Sequence, residues 1–427
     1  MTVGAPPATP TGKLPPQDWM LRPSCRAVVG ALTANGAPVR FVGGCVRDAV
    51  LKRPIKDVDL ATPAHPDKVA ALLEACGIKV VPTGLKHGTV TAVCDGDPYE
   101  ITTLRVDVET DGRHATVAFT EDWIADAARR DFTINALSCS PDGDIYDPFG
   151  GLDDLAHGRV RFVGQAVDRI AEDALRILRF FRFQAFYGRP PADRIALDAC
   201  RLRAADLATL SGERIRQEML RLLEAETAAD VVATMRGLTV LDPILPEIGG
   251  VGPLRLLIWL ETRAIRETGV SVDPLRRLAI LLRDGHGGGA QVAGRLRMSR
   301  AETKRLAALV GMAPPIGANL RENDLRGLLY RHGAARVRDW VLLSWAEYAA
   351  VQARVPPKMT AGWTEMLEAT QAWAPVTFPL RGKDIQQAGI PDGPRIGELY
   401  QMLEDWWVAG GCRADRQACL TRLRDYI

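Results

Sequence analysis

The hydrophobic pattern of this 427-residue chain changes near Gly151, and that change limits the folds it can adopt. Before Gly151, short apolar segments separated by glycine and proline alternate with a helical pattern, which is typical of a small domain with a sheet. After Gly151, apolar residues recur at helical spacing and the strand signals stop. The pattern therefore predicts an α+β N-terminal domain with a mixed or antiparallel sheet, followed by an all-helical remainder.

Individual elements can be placed within this outline. Residues 38–49 predict a strand, a diglycine turn and the start of a helix, and residues 57–62 predict a second strand. A helix is predicted over His65–Gly77. The apolar segments on either side of Gly96 and Pro98 predict a hairpin. The later segments with helical spacing are 171–186, 210–225, 273–284 and 302–312.

The composition excludes several classes of protein. Hydrophobic residues make up 47% and charged residues 25%, which excludes disordered, collagen-like and disulfide-scaffold proteins. The formal net charge of +2 excludes a uniformly basic coat for nucleic acid, although a local basic stripe remains open. No lysine occurs between Lys86 and Lys304, so this stretch is cationic through arginine alone. Codon bias explains most of these arginines, but some of them can form forked bonds to planar acceptors.

The cysteines and the N-terminus predict a cytoplasmic protein. The eight cysteines form no CxxC pair and no zinc-ligand spacing, which favours free thiols in a reducing compartment. The N-terminal segment lacks the apolar core of a signal peptide, and no apolar run approaches the ~18 residues that span a bilayer. We therefore expect no membrane partner, and the sequence leaves the oligomeric state open.

Two neighbouring motifs in the first domain predict a site for metal ions and phosphate. Asp57 and Asp59 stand two apart in an extended segment, so their carboxylates project from one face. Two such carboxylates suit a pair of Mg²⁺ ions that also bind phosphate oxygens. Upstream, Gly43 and Gly44 allow backbone N–H groups to approach a phosphate at the start of a helix. Arg47, in the first turn of that helix, can add a forked donor.

Further polar residues in this domain are candidates for the same site. Glu100, on the second strand of the hairpin, can accept a proton or complete a metal shell, or it is an ordinary solvent-facing glutamate. The motif RRDFTIN contains Arg130, Asp131 and Asn135 at spacings that suit a sugar and a triphosphate. Without this context, the same motif is typical of a salt-bridged helix end.

Four motifs follow one another in this chain: GGCVRD with DVD (43–59), RRDFTINAL (129–137), DPFGGLDDL (147–155) and EDALRILRFFRF (172–183). The series resembles the class II tRNA nucleotidyltransferases and their relatives, the bacterial poly(A) polymerases. SGERIRQEM (211–219) is similar to the fifth motif of that family, and residues 379–400 are similar to the tail of many CCA-adding members. The resemblance is strong over 38–220 and looser elsewhere.

The resemblance implies a domain order and a reaction. The implied order is a flexible N-terminal extension (1–25), a polymerase-β-like nucleotidyltransferase head (26–158), a helical neck with a nucleotide-reading helix (159–225), a helical body (226–340) and a helical tail that contacts tRNA (341–427). The implied reaction transfers CMP and AMP from CTP and ATP to a tRNA 3′ end and releases pyrophosphate. The RNA 3′-hydroxyl attacks the α-phosphate in line, with two Mg²⁺ ions at Asp57 and Asp59.

The resemblance also implies which residues bind the nucleotide. They are Gly43, Gly44, Arg47, Arg130, Asp131, Asn135, Asp173, Arg176, Arg179 and Arg182. Asp173 and Arg176 lie three apart, so a continuous helix places them on one face. An acceptor beside a donor matches the Watson–Crick edges of cytosine and adenine, whereas uracil and guanine present the inverse pattern. Arg179 and Arg182 lie further round the helix, which favours a phosphate contact or a structural role.

Other readings stay open at this point. A poly(A) polymerase shares the head and neck motifs, but residues 401–427 lack the strongly basic extension usual in those enzymes. A member restricted to C or to A addition also fits. A non-catalytic RNA-binding protein has no use for the intact DVD and GGCVRD motifs. No His is followed by Asp, so we expect no phosphohydrolase activity in the tail.

Residues 108–123 predict a mobile loop. We also expect the protein to recognise tRNA through its phosphates and the shape of its stem.

Overall fold

A computed structural model describes residues 9–84, 88–110, 115–264, 270–283, 288–311 and 313–427. The chain divides into two compact units. The first unit comprises Met1–Leu222 and Thr234–Ile244, and the second comprises Leu223–Ala233 and Leu245–Ile427.

The first unit contains an eight-stranded mixed sheet, as the sequence predicts. Its strand order is β1-β10-β9-β2-β3-β6-β5-β4, and β3 pairs with β6 in parallel while the other pairs are antiparallel. A separate antiparallel pair is formed by β7 and β8. The strands are β1 (Gly12–Lys13), β2 (Arg40–Val42), β3 (Val58–Thr62), β4 (Lys79–Gly84), β5 (Thr89–Cys94), β6 (Asp97–Thr103), β7 (Arg105–Thr110), β8 (Ala115–Phe119), β9 (Ser138–Cys139) and β10 (Asp144–Tyr146).

The helix predicted between His65 and Gly77 is confirmed, whereas the helical pattern over 171–186 is divided between two helices at Asp173. The predicted helix over His65–Gly77 is observed as Pro66–Ala75, with Pro66 in its first turn. The helices are α1 (Asp18–Leu21), α2 (Pro23–Thr33), α3 (Gly44–Val50), α4 (Pro66–Ala75), α5 (Trp123–Ala128), α6 (Gly151–His157), α7 (Ala166–Glu172), α8 (Leu175–Tyr187), α9 (Arg194–Leu202) and α10 (Gly212–Leu223), and α11 (Ala228–Gly237) carries the division between the units.

One face of the sheet forms the hydrophobic core of the head. Helices α2 and α4 pack on the face that carries Leu60 and Ile101, and they bury Leu32 and Leu73 against it. Burial of each such side chain contributes ~2 kcal/mol relative to exposure. Because side chains alternate along a strand, Asp59 and Glu100 belong to the opposite face, which is therefore free for polar chemistry.

The N-terminal segment differs from the flexible extension predicted for residues 1–25. In the described part of that segment, β1 pairs with β10 at the edge of the sheet. The Trp19 ring is buried and meets Phe41 edge-on, with 4.8 Å between centroids. A tryptophan buried in this way anchors the segment, and the proline-rich composition that predicted flexibility overlooks that anchor.

Residues 108–123, predicted as a mobile loop, are only partly covered by the described residues. Residues 111–114 lie outside the described residues, but the flanking segments form β7 and β8. The apolar alternation in ATVAF explains the second of these strands, since period-two alternation favours a strand over a loop. After Tyr146, the described regular elements are helices, with one isolated bridge between Phe132 and Phe162.

The second unit is helical throughout its described regular elements, as predicted. None of the helices in the described ranges is both long enough and apolar enough to cross a bilayer. A five-residue π-helix (Leu260–Ala264) extends the first of these helices. The helices are α12 (Gly252–Trp259), α13 (Pro274–Arg283), α14 (Gly289–Arg295), α15 (Arg300–Val310), α16 (Glu322–His332), α17 (Ala334–Ala350), α18 (Pro357–Ala372), α19 (Gly382–Gln387), α20 (Pro394–Ala409) and α21 (Arg416–Arg424).

Candidate active site

The turn between β2 and α3 brings backbone and arginine donors together. Gly43 has a φ of 67°, a region that residues with a Cβ rarely adopt. A Cβ built on Gly43 lies 3.0 Å from Nη1 of Arg130, so the absent side chain leaves room for that guanidinium. Helix α3 begins at Gly44, and no side chain caps its first turn. Its N–H groups are therefore available to an anion, as predicted for the diglycine motif.

Three carboxylates lie close together on β3, on β6 and in the segment before β3. Asp59 on β3 is opposite Glu100 in the parallel register with β6, and Asp57 directly precedes β3. Burial, together with the nearby charges of Glu100 and Asp57, raises the pKa of the Asp59 carboxyl to about 6, and the charge of Arg130 opposes this rise. Such mutual repulsion suits a site that receives a cation.

The carboxylates do not form a complete metal cage. In the described part of the chain, no group of three or more His, Cys, Asp or Glu side chains is arranged to hold a metal ion. Mg²⁺ normally binds through one or two carboxylates together with substrate phosphates and water. The cluster of Asp57, Asp59 and Glu100 therefore fits a metal that arrives with a nucleotide, and the pairing of Asp59 with Glu100 in the sheet, with Asp57 two residues before Asp59, supports the fit.

Residues of the RRDFTIN motif hold the arginines of the site. Arg47 donates from Nη1 to Oδ1 of Asn135 at 2.6 Å, and Asn135 donates to Asp131 at 2.9 Å. Asp131 in turn accepts from Nε of Arg179 at 2.7 Å. Burial alone would raise the pKa of Asp131, but Arg179 and Asn135 hold it below its usual value. This chain of bonds fixes two guanidinium groups in orientation before any ligand binds.

Aromatic side chains of α8 support Arg47 from a second side. The Arg47 guanidinium lies 4.2 Å from the centroid of the Tyr187 ring and 5.2 Å from that of Phe183. The Tyr187 hydroxyl donates to Asp48 at 3.0 Å, and Asp48 also accepts from Arg47. Stacking and ion pairing together restrict the rotamers of this arginine.

Asp173 does not lie within a continuous helix, which corrects the predicted geometry. Helix α7 ends at Glu172, and Asp173 has extended dihedral angles before α8 begins at Leu175. Its carboxylate accepts from the backbone N–H of Leu175 at 3.0 Å and from Arg214 at 2.6 Å. The break has a local cause, because the bond from the Leu175 N–H to the Asp173 carboxylate, two residues earlier, competes with continuation of the first helix.

Arg176 lies in the first turn of α8 and is held by acceptors of the preceding segments. It forms an ion pair with Glu172 and donates to the carbonyl oxygens of Arg169 and Arg129. The backbone N–H of Arg176 bonds to the carbonyl of Asp173 at 3.0 Å. The two residues are therefore neighbours, as predicted, but through the turn that precedes α8 and not through a shared helix face.

A cavity of about 470 Å³ collects most of the predicted residues. Leu175, Phe183 and Arg214 line it as well, and the residue-level prediction missed them. Arg214 belongs to SGERIRQEM, so that motif held the signal for it. The predicted residues that line the cavity are Gly43, Gly44, Arg47, Asp59, Arg130, Asp131, Asn135, Asp173, Arg176 and Arg179.

Three predicted residues lie outside the lining of this cavity. Asp57 and Glu100 sit beside Asp59 on the exposed edge of the site. Arg182 is largely buried, donates to Glu218 at 2.6 Å and stacks on Phe183 at 4.5 Å. This placement favours the structural alternative for Arg182 over a direct nucleotide contact.

Glycine N–H groups, acidic residues and fixed arginines thus face one cavity, an arrangement typical of a nucleotidyltransferase. Comparison with known proteins identifies the class. Residues 39–161 match the family described as "Poly A polymerase head domain", and residues 196–249 match "Probable RNA and SrmB- binding site of polymerase A".

Relatives and solved structures identify the family more closely. The chain is 34% identical to the mitochondrial CCA tRNA nucleotidyltransferase 1 of Danio rerio over 397 residues, covering 91% of this chain and 88% of the relative. It is 42% identical to the CCA-adding enzyme of Leuconostoc citreum over 217 residues, about half of each chain. The crystal structure of the Bacillus stearothermophilus CCA-adding enzyme in complex with CTP superposes with a TM-score of 0.74 at 27% identity, covering 95% of this chain and 98% of that one. This chain belongs to the CCA tRNA nucleotidyltransferases.

Proposed function

We propose that this chain adds CMP and AMP to the 3′ end of tRNA, using CTP and ATP and releasing pyrophosphate. The observation that carries the proposal is the cavity itself. The glycine turn, Asp59 and the residues Asp173 and Arg176 line the same space, so the triphosphate, the reacting phosphorus and the base can be bound at once. The names of the relatives, CCA tRNA nucleotidyltransferase and CCA-adding enzyme, support the same reaction.

The triphosphate binds at the start of α3. Gly43 and Gly44 present backbone N–H groups, and Arg47 and Arg130 add guanidinium donors. Asp131 and Asn135 act through the arginines that they hold, because their polar atoms already bond to Arg179 and Arg47. The donors need little reorganisation when the phosphates arrive, which favours tight and oriented binding.

The base is read by Asp173 and Arg176. An Asp acceptor beside an Arg donor matches the amino group and ring nitrogen of cytosine and of adenine. Uracil and guanine offer a carbonyl beside an N–H, which places an acceptor against the Asp173 carboxylate and a donor against the Arg176 guanidinium. A site that selects by unsatisfied polar groups discriminates more strongly than one that selects by shape. Arg182 contributes by holding Glu218, which also faces Arg179.

Asp57 and Asp59 are the residues that would hold Mg²⁺. A bound Mg²⁺ pair supplies charge neutralisation at the phosphates and a lowered pKa for the attacking RNA hydroxyl. Glu100, opposite Asp59 in the sheet, is positioned either to share a metal or to accept the hydroxyl proton. Arg47 and Arg130 stabilise the charge that develops on the leaving pyrophosphate.

The remaining assignments concern the other domains and the compartment. We infer that residues 26–158 form the head, 159–225 the neck, 226–340 the body and 341–427 a tail that contacts tRNA. The protein works in the cytoplasm, an assignment that the free cysteines of the described chain support. Vertebrate relatives are named mitochondrial, so the cytoplasmic assignment is tested by cell fractionation.

A primer-extension assay tests the reaction. Purified protein receives labelled CTP or ATP with a tRNA that ends before CCA, or with an oligo(A) primer. We expect incorporation of both nucleotides into the tRNA, ending after three additions. Long tails made from ATP alone would identify a poly(A) polymerase, which the family descriptions of residues 39–161 and 196–249 keep as the second candidate. Incorporation of only one nucleotide would identify a C-restricted or A-restricted member.

A further inference from the structure

A second cavity, with several charged side chains in its lining, lies within the helical unit and has no part in the chemistry described above. Its volume is about 670 Å³, and it is bordered by helices α13 and α15 and by the start of α17. Its lining includes five cationic side chains, namely Arg276, Lys304, Arg305, Arg336 and Arg338.

The acidic groups of this cavity are already occupied. Asp339 accepts from Arg276 at 2.8 Å through one oxygen and from Arg305 at 2.7 Å through the other. Asp273 accepts from Arg305 at 2.5 Å and from the backbone N–H of Arg276 at 3.0 Å. Each carboxylate oxygen therefore accepts a bond from an arginine, through its guanidinium or its backbone N–H. Asp339 and Asp273 are both at least partly buried. These two pairs neutralise Arg276 and Arg305.

Three cations remain at the cavity wall without a carboxylate. Arg338 donates to the hydroxyl of Thr370 at 3.2 Å, which leaves its charge uncompensated. Within the described ranges, neither Lys304 nor Arg336 forms an ion pair. Burial lowers the pKa of the His332 ring, and the nearby Arg336 and Arg331 lower it further.

The start of α17 adds to the same positive field. The helix has 17 residues, its N-cap is Gly333 with a φ of 80°, and no side chain caps it. Its first turn contains no acidic residue. The first N–H groups of the helix therefore lack protein side-chain partners at the wall where Ala334, Ala335 and Arg336 line the cavity. Uncapped N–H groups beside unpaired cations form a site for a compact anion.

We propose that this cavity binds a backbone phosphate group of the tRNA substrate, through Lys304, Arg336 and the N-terminus of α17. The proposal rests on the proposed function and names one contact of that substrate. Apart from His332, the lining has no ring on which a base can stack, which favours a phosphate over a nucleobase. His332 itself already meets Trp340 edge-on at 5.0 Å. A phosphate contact carries no sequence information, as required of an enzyme that serves every tRNA.

Equilibrium binding of the full-length protein tests this site without turnover. The double variant Lys304→Ala/Arg336→Ala is compared with the wild type for binding of labelled tRNA that ends before CCA, across a series of KCl concentrations. The matched control, Lys68→Ala/Lys79→Ala, removes two exposed lysines from the head. The charge-retaining variant Lys304→Arg/Arg336→Lys tests whether the positive charge suffices. Thermal melting of each variant verifies folding.

We expect the Kd for tRNA to rise about tenfold in the double variant, and the slope of log affinity against log salt to fall by about one. The control variant keeps the wild-type Kd, and the charge-retaining variant keeps at least half of the affinity. Unchanged tRNA affinity and salt slope in the double variant would overturn the proposal. A lost binding site for free ATP or inorganic pyrophosphate, with tRNA affinity intact, would also overturn it and assign the cavity to a free phosphate ligand. Incorporation of CMP and AMP at saturating tRNA reports separately on the proposed function.

Discussion

A buried cluster of arginine and carboxylate groups in the first unit can be compared with one in the second. In the first unit, Asp131 and Asn135 orient Arg47 and Arg179 around the nucleotide cavity. In the second unit, a cluster of four side chains is buried among the helices. Glu261 accepts from Arg276 and Arg277 at 2.6–2.8 Å, and Asp339 accepts from Arg276 at 2.8 Å.

The two clusters differ in how their charges are balanced. Both oxygens of Glu261 bond to arginines, and Arg277 also donates to the carbonyls of Leu223 and Ala225. In the first unit, by contrast, the carboxylates Asp57 and Glu100 add to the effect of burial in raising the pKa of Asp59, whereas the pKa of Glu261 is raised by burial and its arginines oppose that rise. Balanced charges in the helical unit serve the fold, whereas unbalanced charges beside a cavity mark a site that a ligand must complete. Substitutions in each cluster should therefore separate stability from activity.

The largest effect is expected from Asp59→Asn. We expect the rate of nucleotide incorporation to fall about 10⁴-fold, equivalent to ~5.5 kcal/mol, because the carboxylate that we propose as a principal metal ligand is lost. Because repulsion from Asp57 and Glu100 is also removed, the metal-free protein should become more stable by about 1 kcal/mol. Single-turnover incorporation and denaturant unfolding in EDTA measure the two quantities. A variant that retains more than a tenth of the wild-type rate would contradict the role of Asp59.

The opposite outcome is expected for Glu261→Ala in the helical unit. Removing this carboxylate leaves Arg276 and Arg277 buried without their partner, which should lower the free energy of unfolding by about 3–4 kcal/mol. The preference among the four nucleotides should not change in the folded protein. Chemical denaturation and steady-state kinetics measure these effects. Glu226→Ala is the matched control, since it breaks the exposed pair with Arg263 and should cost less than ~1 kcal/mol.

Base selectivity should be lost in Asp173→Ala while stability is nearly kept. We expect the preference for CTP and ATP over UTP and GTP, measured as kcat/KM, to fall about 50-fold, or ~2.3 kcal/mol. The reason is that the variant lacks the acceptor for the exocyclic amino group. Asp168→Ala, on the exposed surface of the preceding helix, is the matched control and should keep its selectivity. If Asp173→Ala kept full selectivity, the assignment of the reading residues would be wrong.

The sequence predicts the head well because its signals are local. The strand before the diglycine turn, the DVD strand and the hairpin at Gly96 each depend on residues within about ten positions of one another. The motif spacing also places Gly43, Arg47 and Asp59 correctly at one cavity. Backbone conformation and alternation determine these features, so a single sequence is enough to predict them.

Features that depend on distant contacts could not be predicted in the same way. The first strand is stabilised by β10, more than 130 residues away, and Trp19 is buried against Phe41. The break at Asp173 depends on two bonds to its carboxylate, one from the Leu175 N–H and one from Arg214, which is 41 residues away. The helical spacing of apolar residues continues through this break, because the apolar face of α8 continues that of α7 at nearly the same angle around the helix. Tertiary contacts decide such details, and they override the local helical pattern.

The smallest effect is expected from Arg214→Ala, which tests whether Asp173 is held in place. Arg214 donates to Asp173 at 2.6 Å and lines the nucleotide cavity. Without it, the Asp173 carboxylate keeps its bond to the Leu175 N–H but loses its orientation, so the kcat/KM preference for CTP over UTP should fall about fivefold, or ~1 kcal/mol.

Arg214→Lys should recover part of that preference, since a lysine supplies one charge-assisted bond instead of a fork. In a double-mutant cycle, adding Arg214→Ala to Asp173→Ala should cause no further loss of selectivity, because the arginine acts through the aspartate. Equal losses of kcat/KM for all four nucleotides, with the CTP to UTP ratio unchanged, would instead give Arg214 a purely structural role. The bond from the Leu175 N–H would then be enough to orient Asp173.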